Sequence, residues 1–346
     1  MSTKINVRSP YYKKVSDALL TSATMSLHIY EGTLGSRPSD SLKYTITKTP
    51  VGSNAYVVFE IAELVRDYLD NSFNGTYSSN SVWVEADVVK TLSSGGPTND
   101  NSDYLAVDGY GYFEDGINPN ISTNILQSNT IIYFSEGENI YIPAFAETVG
   151  PIKKGATTLD TISDSGNSNQ KIQYYELASA SLNSGDQLDI YNTAGSSILA
   201  SVTLEEICEP RYTPIKVVFY NKFGALQDMW FFKRSDTSIN ASSDSYKSNI
   251  LDLSALSYDT SAHQMRKFNV NGNETITLNS GFYDEQYNEV IRQLMLSEQV
   301  WLDNGTDIFP VNVNTSSHTF QTNVNDKLIQ HTLEFAYAYD KINNVR

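Results

Sequence analysis

Tyr283-Asp-Glu-Gln-Tyr287-Asn-Glu-Val290-Ile291-Arg-Gln-Leu294-Met295-Leu296 and, further on, Ile329-Gln-His331-Thr-Leu333-Glu-Phe335-Ala-Tyr337-Ala-Tyr339 are the two stretches whose reading decides the fold. In the first, the apolar positions 283, 287, 290, 291, 294 and 295 fall on one helical face. In the second the period is two: the odd positions read Ile, His, Leu, Phe, Tyr, Tyr, while Leu328, Gln330, Thr332, Glu334 and Ala336 take the other face. A helix leading into an alternating strand and hairpin, with no catalytic set beside it, predicts a packed assembly module. The question of function then becomes what the chain binds.

Composition narrows the classes. At 346 residues the chain exceeds the size at which one hydrophobic core stops growing, so two or three domains are expected. It is 40% hydrophobic and 18% charged, with 23 Tyr, enough to build real cores beneath an uncharged polar surface. Ser, Thr, Asn, Gly and Tyr between short apolar runs is the composition of sandwiches and barrels rather than of helical bundles. A formal charge of −16 argues against nucleic-acid binding, which needs Lys and Arg to neutralise phosphates. The doublets Lys13-Lys14 and Lys153-Lys154 read as solvated surface. Cys208 is alone, which excludes an intrachain disulfide and a cysteine-rich zinc site. No apolar run has the length of a signal peptide or of a membrane span, so folding in the cytosol is expected. On that reading the Asn-X-Ser/Thr triplets at Asn74, Asn120, Asn240, Asn273 and Asn304 reflect composition, not glycan acceptors.

Three units are expected, giving a multi-domain, mainly β chain with a few helices. Residues 1–125 read as a β-sandwich-like domain. Strands at 25–30 and 42–47 flank a loop holding Gly32, Gly35, Pro38 and Asp40, a short strand covers 55–59, and a helical stripe runs through Ile61, Leu64, Val65, Tyr68 and Leu69. Strands at 81–90 and 104–113 complete it, with a flexible loop at 93–101 between them. Residues 126–208 read as a small all-β domain with strands at 130–134, 140–143, 171–177, 187–191 and 197–204, the last two joined by a hairpin loop at 192–196. Residues 209–346 read as an α+β domain. Its strands lie at 215–220, 229–233, 265–270 and 274–278, followed by the helix at 283–296, strands at 300–302 and 309–313, and a closing hairpin turned at 323–327. Residues 235–249 read as a polar loop.

Chemistry-bearing motifs are few. His28, His263, His318 and His331 are far apart with no metal-ligand spacing, and His331 on an apolar strand face reads as a packed histidine. No G-x-S-x-G or comparable nucleophile signature is present. The adjacent acid pairs Glu205-Glu206, Asp284-Glu285 and Glu114-Asp115 do not suit paired-carboxylate catalysis: strand neighbours point to opposite faces, and Asp284-Glu285 falls in an expected first helical turn. Residues 160–169 carry oxygen ligands and Gly166 but miss the calcium-loop spacing, and no glycine motif cradles phosphate. No cofactor or metal is expected, and a non-enzyme is favoured. The surplus of Tyr and Trp suits protein–protein contact.

Three segments resemble virion proteins of tailed bacteriophages, in particular tail and baseplate components from phages of Bacteroidetes and marine bacteria. They are Lys4-Ile-Asn-Val-Arg-Ser-Pro-Tyr-Tyr12 with residues 59–69; Phe219-Tyr-Asn-Lys-Phe-Gly-Ala225 with Met229-Trp-Phe-Phe; and the 283–296 helix with residues 296–302, 310–313 and 325–329. The last looks like the C-terminal end of distal-tail or baseplate proteins. None of them lies in residues 126–208. The resemblance implies a structural role in the virion tail: a ring or adaptor formed by self-association, with other tail, baseplate or fibre proteins as neighbours. Ring closure needs one face to meet a different face of the next copy. Strand edges at 5–8 and 337–339 and the N-terminal segment are the expected contact points, which makes Ile5, Val7, Tyr11, Tyr12, Trp230, Trp301, Tyr337 and Tyr339 the candidate interface residues. The competing reading is a host-surface or carbohydrate-binding receptor-recognition protein, or a fibre adaptor, that stacks sugars on exposed aromatics.

Overall fold

A computed structural model describes residues 3–78, 80–119, 124–209, 211–320 and 329–342. The chain is mainly β, and its strands fall into separate sheets in consecutive stretches of sequence.

The first stretch contains β1 (Thr3–Asn6), β2 (Tyr12–Ser16), β3 (Leu20–Tyr30), β4 (Leu42–Lys48), β5 (Tyr56–Glu60), α1 (Ala62–Arg66), β6 (Ser81–Leu92), β7 (Thr98–Asn99) and β8 (Ser102–Val107). Five strands order as β1-β8-β6-β3-β4, with β7 beside β6, while β2 and β5 form a separate ribbon. In β3 alternate residues Ala23, Met25, Leu27 and Ile29 are buried, and β4 pairs along it with Met25 opposite Ile46. The core under this sheet joins Ile5, Met25, Leu27 and Val84 to Val15 and Phe59 of the ribbon and Val65 of α1. The sheet and ribbon thus close as two layers, which is what period-two patterning with one apolar face demands. The strand expected over 104–113 stops at Val107. Gly109 then lets the chain pass so close to Lys222 that a Cβ there would meet its carbonyl oxygen at 2.8 Å.

The second stretch contains β9 (Ile131–Phe134), β10 (Asn139–Phe145), β11 (Val149–Lys154), β12 (Thr157–Thr161), β13 (Ile172–Ala178), β14 (Gln187–Asn192) and β15 (Ile198–Glu206). Five order as β12-β11-β14-β15-β9, and β10 pairs with β13. Ile142, Val149, Ile152, Tyr175, Leu188, Ile190 and Val202 fill the space between. The β11–β12 hairpin was not apparent in the sequence, because Gly150 and Pro151 punctuate it like a turn.

The third stretch contains β16 (Ile215–Tyr220), β17 (Leu226–Phe231), β18 (Asp236–Lys247), β19 (Leu251–Asp252), β20 (Ser257–Tyr258), β21 (Met265–Tyr283), α2 (Tyr287–Leu296), β22 (Val300–Asp303), β23 (Ile308–Val313) and β24 (Ile329–Tyr337). Seven strands order as β17-β16-β22-β23-β24-β21-β18. Val290, Ile291 and Leu294 of α2 pack into one core with Phe219, Leu333 and Phe335 of the sheet. In β24, Ile329, His331, Leu333 and Phe335 are buried while Gln330 and Thr332 are exposed, as the alternation predicts.

Three expectations for this stretch are corrected. The helix starts at Tyr287, because Tyr283 is still the last residue of β21. The polar loop of 235–249 is largely strand β18, and the two strands at 265–270 and 274–278 are one continuous β21. Tyr337 is not on an open edge, since β24 lies between β23 and β21. The hairpin turn at 323–327 and Leu328 lie outside the described residues.

The three stretches are locked together. A small core takes Trp83 and Leu105 from the first, Phe145 and Ile172 from the second and Ala225 from the third. Trp83 Nε1 donates to Asn167 O at 3.0 Å, Gln227 Nε2 to Asn129 Oδ1 at 2.8 Å, and Tyr112 Oη to Glu289 Oε1 at 2.6 Å.

Candidate assembly surface

β18 and β21 leave the seven-stranded sheet together. Between Thr275 and Tyr283, β21 is flanked by β24 on one side, but beyond Gly272 its only strand partner among the described residues is β18. The paired shaft from Ala241 to Lys247 extends roughly 20 Å at about 3.3 Å per residue. It ends in a tip closed by the β19–β20 pair. Every residue of β18 is exposed, as are the first six of β21.

Such an arm is unusual physically, because two strands without a packed face are marginal alone. Its base is braced from the C-terminal side: Lys341 N–H donates to Gly272 O at 2.7 Å, Asn271 Nδ2 to Asp340 Oδ2 at 3.0 Å, and Lys341 pairs with Glu274 at 2.8 Å. Its surface is apolar where water would favour polar groups. Tyr246 and Phe268 meet edge-to-face on one side of the shaft, and Met265, Tyr258, Leu253 and Leu256 lie toward or at the tip. Leu253 is 75% exposed and Leu256 80%, and Leu256 also adopts a left-handed backbone (φ 49°), a conformation costly for a branched residue. Burying one such side chain is worth about 2 kcal/mol, so this concentration of exposed apolar side chains makes the arm the candidate contact surface.

Charge separates arm from body. Residues 241–271 hold Asp244, Asp252 and Asp259 against Lys247, Arg266 and Lys267, which balance, so the whole −16 resides in the rest of the chain. The shaft itself carries three of these cations and only Asp244.

The residues picked out from sequence are placed differently. Ile5 and Val7 are buried in the first core, and Trp230 is buried with Lys216 Nζ 5.7 Å from its ring centroid. These three side chains already have internal partners. Tyr11 is half-buried against Tyr104, and Trp301 is half-buried against Phe73 and Tyr220. Tyr337 is half-buried between Phe309 and Tyr339. Tyr12 and Tyr339 are exposed, and Tyr339 stands beside the bracing segment of the arm. β1 is a sheet margin, but its edge is covered. Asn118 Oδ1 accepts from Asn6 N at 3.0 Å, and Asn118 Nδ2 donates to the carbonyls of Asn6 and Ser9, each at 2.8 Å.

Folding also assembles polar groups that are separate in sequence. His318 Nε2 and His331 Nδ1 lie 3.0 Å apart, and burial, reinforced by His318, pulls the His331 imidazole down to about 4. Burial pushes the Asp228 carboxyl up to about 6, opposed by the Lys216 ammonium and by the Tyr77 hydroxyl that donates to it. In the 160–169 loop, Asp164 pairs with Lys171 and Asp160 Oδ2 accepts from Glu176 N at 2.9 Å, so these oxygens serve the fold. Among the described residues no group of three or more His, Cys, Asp or Glu could hold a metal, and no helix is long and apolar enough to cross a membrane.

The arm escaped sequence reading because both its faces are exposed, which erases the polar/apolar alternation. A usable signal was present: no Gly or Pro occurs from Ala225 to Asn271, which is untypical of loops. No protein-family model matches this chain, and no curated protein matches it.

Proposed function

We propose that this protein is a structural component of a bacteriophage tail or baseplate that self-associates, and that the β18–β21 arm is the element reaching a sibling subunit. The observation that carries self-association is the arm: a projecting hairpin with exposed leucines and aromatics, electrically balanced, on a body that holds all of the net −16. Two acidic bodies repel each other, whereas a shaft bearing Lys247, Arg266 and Lys267 is attracted to the acidic surface of a second copy. An arm that meets a different face of its neighbour makes a heterologous contact, the kind that propagates around a ring. The virion assignment draws on the resemblance of residues 4–12, 219–232 and 283–302 to tail and baseplate proteins.

Native mass spectrometry and sedimentation velocity of the full chain test this reading. A concentration-dependent oligomer is expected, converting to monomer in the double variant Leu253→Asp/Leu256→Asp. A native chain that stays monomeric at the highest attainable concentration would remove the basis for self-association. Labelled antibody against the protein, imaged on intact particles, tests the tail assignment.

A further inference from the structure

A cleft of about 660 Å³ lies where the segment entering β16, the residues after β17 and the turn between β22 and β23 converge. Its size is that of a small-ligand site. Its lining departs from the rest of this acidic chain: Arg211, Lys233 and Arg234 gather there. Lys233 pairs with Glu209 and Arg234 with Asp236, the latter at 2.6 Å, leaving one positive charge in excess. That excess sits on Arg211. Its guanidinium lies 5.3 Å from the Tyr212 ring centroid and makes no ion pair among the described residues. Around it the hydroxyls of Thr213, Ser235 and Thr306 have no hydrogen-bond partner among the described residues.

We infer that this cleft binds a carboxylated sugar, such as a uronic acid unit of an acidic polysaccharide. Three features select that class. A free planar guanidinium recognises a carboxylate through two parallel hydrogen bonds, with a geometry a lysine lacks. The uncommitted hydroxyls match vicinal sugar hydroxyls, and the half-buried Tyr212 ring, with the Arg211 guanidinium 5.3 Å from its centroid, adds an aromatic wall to the same cleft. A bare inorganic anion would use the guanidinium alone and leave most of the 660 Å³ to water. A neutral sugar would leave the cleft's one excess positive charge unmatched. The cleft meets the arm only at its root, where Arg234 pairs with Asp236 at the start of β18, and takes no residue from the shaft or the tip.

The test is calorimetric titration of the full chain with trigalacturonate, with galactotriose and inorganic phosphate as comparators. Saturable binding of trigalacturonate is expected, weakening with added salt, with galactotriose bound far more weakly. Arg211→Gln should weaken it roughly tenfold or more, since a charge-assisted pair is lost. Arg211 is exposed, so an unchanged melting temperature should show that the variant is folded. The inference fails if trigalacturonate does not bind saturably, if Arg211→Gln binds it as well as the native chain, or if phosphate or galactotriose binds equally tightly. Loss of self-association in the arm variant would leave these results unchanged, so the two readings stand or fall separately.

Discussion

Tyr283 and Tyr287 stack with ring centroids 4.2 Å apart and planes 27° apart, the first closing strand β21 and the second opening helix α2. The pair is the joint between the sheet that carries the arm and the helix that fills its core. Tyr133 from the second stretch meets both rings edge-on, and the Tyr283 hydroxyl donates to Trp230 O at 2.6 Å. Tyr283→Phe keeps the stack but removes the hydrogen bond to the buried Trp230 carbonyl, which costs about 1 kcal/mol. Tyr283→Ala also empties a fully buried site, costing about 3–5 kcal/mol. Thermal melts should rank native above Phe above Ala; equal melting for Phe and native would show that the hydroxyl contributes nothing.

Asn118 is expected to act as the cover of the β1 edge. Asn118→Ala removes its bonds to Asn6 N, Asn6 O and Ser9 O, a loss of roughly 1–3 kcal/mol. Hydrogen exchange read at the Asn6 amide should accelerate in the variant while the amides of β6 stay protected. Unchanged exchange at Asn6 would mean that another group covers this edge.

Asp228 and His331 oppose each other in mildly acidic solution. The folded-state pKa of Asp228 is raised to about 6, so between about 4 and 6 the native state binds the extra proton and stability falls as pH rises. That of His331 is lowered to about 4 from 6.5, so between about 4 and 6.5 the unfolded state binds the extra proton and stability rises with pH. The two slopes oppose each other in this window, so removing either group should tilt the native profile, in opposite directions. Asp228→Asn should unmask the rising slope, and His331→Leu the falling one. Melting temperatures at half-unit steps from pH 4 to 7 check both signs, and parallel profiles for the two variants would contradict the assignment.

Legibility in the sequence tracked how asymmetrically each element is buried. β3 and β24 bury one face and expose the other, so period two stands out in Met25-Ser-Leu-His-Ile29 and in the run from Ile329 to Phe335. β18 has no buried face, so Ile239 and Tyr246 occur among Ser and Asn without a pattern, and an arm looks like a loop. The helix was placed four residues early for a geometric reason. A strand end followed by a tight turn brings Tyr283 onto Tyr287, mimicking the i,i+4 contact of a helix. Aromatic residue type alone did not separate surface from core: Trp230 fills a core, whereas Tyr12, in the ribbon strand β2, faces water. The Arg211 cleft was invisible for a similar reason, since residues 211–213, 233–235 and 304–306 meet only through the sheet order.

Substitutions on the arm should separate association from stability. Tyr246 and Phe268 touch each other but bury no core, so replacing both with Ser should change the melting temperature little, within the ~0.5 kcal/mol typical of surface sites. The same change removes two aromatic contacts from the shaft, and central aromatic anchors contribute ~2 kcal/mol or more each to an interface. The dissociation constant for self-association, measured by sedimentation equilibrium, should therefore rise at least tenfold. A double variant that unfolds would show that the shaft has a core role the exposed side chains do not suggest. One that is stable and associates normally would show that the contact lies elsewhere on the molecule.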